Sequence, residues 1–229
     1  MPAPWLTVLS WTWIALAFGS GALIVADILV GGYRQHMWIM EVVWPVTALY
    51  FGPLALPAYR RWGRPMTHKA MAAQGGEMPE KPFWAQVAVG VSHCGAGCSL
   101  ADLVAEWVVF ATGLQLAGLA LPMEYVWDYI LALALGILFQ YFSIAPMRGL
   151  SVGKGLRAAA KADFLSLTAF EVGLFGWMAI MQLVVFTSPH LTADHAAFWF
   201  LMQVGMVIGF LTAYPMNWWL IRRGVKEAM

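Results

Sequence analysis

Charged side chains are scarce in this sequence: 13 basic and 12 acidic residues occur among 229, or 11%. An ordinary soluble domain carries about 25%, so a soluble globular reading is excluded. Only two cysteines are present, Cys94 and Cys98. That rules out a disulfide framework. Hydrolytic and phosphoryl-transfer signatures are missing: there is no His-Glu-x-x-His, no Gly-x-Ser-x-Gly and no phosphate loop. No basic residue precedes the first apolar run, and no small-residue cleavage site follows it. It therefore reads as a retained helix rather than a cleaved signal. Internal repeats, low-complexity tracts and a soluble domain are lacking as well.

What the chain does contain is hydrophobic residues, 61% of the total, with 13 Trp, 13 Phe and 7 Tyr, many of them near segment ends. That is the pattern of an interfacial aromatic belt. About 20 apolar residues cross a bilayer, and six runs are long enough: Trp5 to Val30, Met37 to Tyr59, Trp84 to Thr112, Tyr125 to Met147, Ala162 to Phe186 and Ala196 to Ile221. Pro45, Pro53 and Pro57 predict kinks in the second. Arg60 to Lys81 is the longest loop. The sequence thus predicts an all-α, polytopic bundle of about six transmembrane helices, one domain over residues 1–229, multi-pass in the inner (plasma) membrane. The lipid bilayer is the expected partner. No nucleic acid is expected, and homo-oligomerisation is left open.

Lys and Arg set orientation. With a cytoplasmic N-terminus, twelve of the thirteen basic residues fall inside and only Arg34 falls outside. Both termini are therefore expected in the cytoplasm. The same topology puts Asp27, Glu41, Asp102, Glu106 and Asp128 in the outer half of their helices. No intramembrane base pairs with them, so the outer half reads as a cation-attracting vestibule. The plainer reading is that Asp27 and Glu41 reach water and Asp128 favours the start of its helix. His190 and His195 read as ordinary surface histidines.

The stretch Ser92-His93-Cys94-Gly95-Ala96-Gly97-Cys98-Ser99-Leu100-Ala101-Asp102, continuing to Glu106, lies inside the third run. Polar groups in hydrocarbon are costly, and their default explanation is function. Cys94, Cys98 and Asp102 advance by four residues and span an arc of about 80° on an ideal helix. Glu106 extends the stripe. His93 lies off it, unless the Gly95-Ala96-Gly97 insert loosens the helix. Thiolate and imidazole suit copper(I) or zinc(II). Glu171 on the fifth helix reaches a depth similar to Cys94. Gln140 and Gln203 read as interhelical hydrogen bonds. The plain alternative is two small buried cysteines and a histidine hydrogen-bonded to a neighbouring helix.

At His93-Cys94-Gly95-Ala96-Gly97-Cys98, followed by Asp102 and Glu106-Trp107, the chain resembles an uncharacterised prokaryotic integral-membrane family, a domain of unknown function. Its signature is His-Cys-Gly-Ala-Gly-Cys with a downstream acid. The resemblance covers most of the chain from the third helix onward and implies multi-helix membrane residence. It implies no reaction.

The leading expectation is a protein that binds and translocates a soft metal cation, copper(I) first and zinc second. His93, Cys94, Cys98 and Asp102 are the expected ligands; Glu106, Glu41, Asp27 and Glu171 are the expected relay. A catalytic role ranks below this one: a membrane thiol oxidoreductase using Cys94 and Cys98, against which the absence of Cys-x-x-Cys counts. A cofactor-binding membrane protein with His93 axial is a further alternative.

Overall fold

A backbone in lipid has no water to bond with, so a spanning segment of this composition closes its hydrogen bonds within a helix. The computed structural model describes residues 2–116, 118–188 and 190–228, with Pro146 and Met147 described by backbone alone. Six helical segments are long and apolar enough to cross a membrane: Pro4–Leu29, Met40–Met66, Phe83–Thr112, Ala120–Ala145, Val152–Val185 and Ala196–Arg222. Among the described residues there is no strand. The predicted all-α class is what is found.

Helix α1 spans Pro4–Leu29, with proline in its first turn, where the missing N–H costs nothing. Helix α2, Met40–Phe51, then stops at Gly52, which adopts φ 58° and ψ −140°. A side chain disfavours that conformation, and a Cβ there would lie 2.9 Å from the Trp13 ring. The chain reverses at this point. It returns through a 3₁₀ turn at Gly52–Leu54, the short helix α3 at Ala55–Ala58, a π turn at Tyr59–Gly63 and a 3₁₀ turn at Arg64–Met66. Trp44 and Tyr59 consequently meet with ring centroids 5.7 Å apart; a straight helix would separate them by about 22 Å. Asp27, at the end of α1, receives hydrogen bonds from the Tyr59 hydroxyl at 2.9 Å and from Arg64 Nε at 3.1 Å. His36 N–H donates to the Met66 carbonyl. The second segment is thus a re-entrant hairpin whose two ends lie at one end of the bundle. Prolines at 45, 53 and 57 mark this irregularity, where the sequence predicts a kinked crossing.

A short helix α4, His68–Ala73, is capped by the Thr67 hydroxyl. Four long helices complete the bundle: α5 at Phe83–Thr112, α6 at Ala120–Arg148, α7 at Val152–Ile180, prolonged by a π turn to Val185, and α8 at Ala196–Arg222. Trp84 at the start of α5 packs on Trp62 of the hairpin, and Trp107 near its end stacks on Trp199 near the start of α8. Tyr125 stacks on Phe175, and Arg148 pairs with Glu227. These contacts fix every direction. The start of α1 lies at one end of the bundle and the end of α8 at the other. Most of the basic residues gather toward the end that holds the hairpin mouth, hereafter the basic end. The expectation of both termini on one side counts the second segment as a crossing; here that segment returns to the end at which it began.

Helix α7 starts ten residues before the predicted Ala162. Lys154, Arg157 and Lys161 belong to its opening turns, because charge ends an apolar run without ending a helix. Helix α5 is the most enclosed, with 61% of its apolar window buried against 28% for α1. It runs unbroken through Gly95-Ala96-Gly97, so the expected loosening does not occur. Those glycines serve packing instead. Gly97 meets the backbone of Gly136 on α6, and a Cβ on Gly95 would lie 2.9 Å from both the Phe170 ring and the Tyr50 hydroxyl.

Candidate functional site: a buried chain of carboxylates and thiols

The four-residue spacing along α5 turns Cys94, Cys98, Asp102 and Glu106 to the interior, each no more than 4% exposed. Helix α7 brings Glu171 to them, α6 brings Asp128, and the tip of α2 brings Tyr50; all three are buried. Cys98 lies near Cys94, Glu171 and Asp102. Asp102 lies near Glu171 and Glu106. Glu106 in turn lies near Asp128 and the half-buried Glu124. Tyr50 lies near both thiols. The predicted stripe thus has Asp128, Glu124 and Tyr50 as neighbours.

None of these acids has a basic partner among the described residues. Both oxygens of Asp102 and of Glu171, and one of Asp128, are buried with no hydrogen bond. An isolated carboxylate in such surroundings is strongly disfavoured.

Other predicted site residues lie elsewhere. His93 leaves the stripe. Its Nε2 shares a 2.8 Å hydrogen bond with the Ser143 hydroxyl of α6, and its ring packs edge-on against Phe139. The plain reading of His93 is the arrangement found. Among the described residues, no group of three or more His, Cys, Asp or Glu side chains is disposed to hold a metal ion. Asp27 and Glu41 sit at the basic end, away from Asp102 and Glu106. Asp27 is paired with Arg64, and Glu41 with Arg34 at 2.8 Å. The hairpin carries Arg64 back to α1, which a crossing segment would not do.

Toward the basic end the sequence reading misses a second cluster. Asp163, on the same α7 face as Glu171, forms a 3.6 Å ion pair with Lys226, and both side chains are buried. Lys226 Nζ also donates to Ser166, which receives a further bond from Asn217. The chain turns back after α8 through Gly224 (φ 67°) to insert this lysine. The signal available in the sequence is the shared face of Asp163, Ser166 and Glu171. Gln203 donates to the Leu49 carbonyl at 2.6 Å, the interhelical bond expected of it. Gln140 is buried with both amide atoms unpartnered.

Architecture and site together define a multi-pass helical membrane protein with an acid-rich buried core. Within that class, the chain belongs to the family described as a domain of unknown function, DUF4396, whose profile matches residues 83–226. The match spans α5 to α8 and includes the cysteine stripe. No curated protein and no solved structure matches the chain.

Proposed function

We propose that this protein carries a cation across the membrane through a track that begins at Glu124, at the acidic end of the bundle. The observation that supports it is the run of buried, neighbouring carboxylates without basic partners. Cys94 and Cys98 give the inner part of the track a soft character, which favours copper(I) and then zinc. Glu171, rather than His93, is the third group beside them. Asp102 and Glu106 pass the ion, or a coupled proton, from the acidic end. Asp27 and Glu41, already paired, have no part in this reading. His-Cys-Gly-Ala-Gly-Cys is read as the family's signature because it supplies both thiols and the glycines that let Tyr50 and α6 approach them.

The bases orient the molecule: the basic end faces the cytoplasm, so transport from the acidic end is uptake. The test uses purified protein in sealed vesicles loaded with a copper(I)-sensitive dye. Uptake that disappears in Cys94→Ser plus Cys98→Ser and in Asp102→Asn is expected. Equal uptake and equal bound metal in all three proteins would end the proposal.

A second reading keeps the thiols as a redox pair, supported by Cys98 lying near Cys94. A bond between them would strain a regular helix. A trapped mixed disulfide with a second thiol would favour it.

A further inference from the structure

The basic end contains a cavity of about 580 Å³ between the hairpin, α5, α6 and the segment after α8. That volume matches sites for small organic ligands. Its walls are aromatic and thioether: Trp38, Trp44 and Trp62 from the hairpin region, Met40 beside them, and Phe142 from α6. Trp38 and Phe142 meet edge to face at 4.9 Å. Such walls fit hydrocarbon.

One cation lines this cavity, Lys81. Among the described residues, no carboxylate lies within 4.0 Å of its ammonium. The lining acid, Glu227, is paired with Arg148. Burial pushes the Lys81 ammonium down to about 8, and the one lining acid, already paired, does not offset that shift. His36 is the other titratable group on the lining. Most of the basic residues lie toward this end, among them Arg60, Arg61, Arg222 and Arg223, where a membrane surface rich in anionic lipid would be attracted.

We propose that the cavity binds an anionic phospholipid, its phosphate on Lys81 and its upper acyl carbons against Trp38, Trp44 and Phe142. The site is independent of cation transport through the core. Its head group supplies the counter-charge that Lys81 lacks, and its chain packs against the aromatic wall. The lipid would join the hairpin to α6, two elements that otherwise meet there through Trp38 and Phe142.

The experiment measures lipid binding to delipidated full-length protein by native mass spectrometry, with phosphatidylglycerol, phosphatidylcholine and inorganic phosphate as probes. Phosphatidylglycerol is expected to bind in preference to phosphatidylcholine, and phosphate alone not to compete. Lys81→Gln weakens phosphatidylglycerol about fivefold, the contribution of one surface lysine, and Lys81→Arg restores it. Trp38→Ala weakens both lipids. Raising the pH from 7 to 9.5 weakens binding to the natural protein, as Lys81 loses its proton, but not to Lys81→Arg. An unchanged melting temperature without lipid shows that the variants fold. Equal binding of the two lipids, an unaffected Lys81→Gln, or full competition by phosphate overturns the proposal.

Discussion

Asp163 and Lys226 form an ion pair with both partners buried, and such a pair is sensitive to the loss of one member. Replacing a single partner strands a charge and costs about 3–5 kcal/mol. Lys226→Met should therefore lower the midpoint of denaturation markedly, and Asp163→Asn combined with Lys226→Met should recover most of the loss. A chemical-denaturation series in detergent checks this. Asp102 behaves differently because it has no partner to strand. Asp102→Asn keeps the shape and removes an unpaired acid, so its melting temperature should not fall while cation uptake does. A large drop in stability would show that Asp102 serves packing. Residues such as these were unequally legible in the sequence. Cys94, Cys98, Asp102 and Glu106 declare themselves by spacing along one helix. The Asp163–Lys226 pair joins positions far apart in the chain; the shared face of Asp163 and Ser166 marks one partner, and nothing local marks Lys226.

Among the elements, the hairpin was the hardest to read. Met40–Met66 has the length and hydropathy of a crossing helix, and those two quantities decide such assignments. Its reversal depends on Gly52 alone taking an angle that other residues avoid. Gly52→Ala should cost about 1–3 kcal/mol through backbone strain, with an added clash against Trp13. Thermal unfolding checks the size, and loss of protection from labelling around Trp44 and Tyr59 would locate the damage. Helices α5, α6 and α8 were legible nearly to their ends, since a long apolar run in lipid has little choice but helix. The start of α7 was missed because its basic opening turns resemble a loop. In α5 the glycines misled in another way: they suggested a flexible break, yet in the folded chain they admit Tyr50, Phe170 and α6 to close contact.

For the whole molecule, the hairpin bears on the count of crossings. With α1, α5, α6, α7 and α8 as the crossings, residues before α1 and after α8 would face opposite compartments. Membrane-impermeant labelling of a cysteine placed at Ala3, and of one placed at Ala228, in a background lacking Cys94 and Cys98, should modify only the first from outside intact cells. Labelling of both, or of neither, would return the chain to an even number of crossings. The depth of Asp102 has a further consequence. It lies ten residues below the end of α5 at Thr112, roughly 15 Å, in a hydrocarbon layer of about 30 Å. On the proposed route, an ion or proton arriving there from the acidic end would have traversed about half of the electric field. For a potential of about 100 mV, that is roughly 1.1 kcal/mol, or about a sevenfold change in occupancy. Transport by that route would tie the loading of this one aspartate to the cell's voltage as well as to its chemistry.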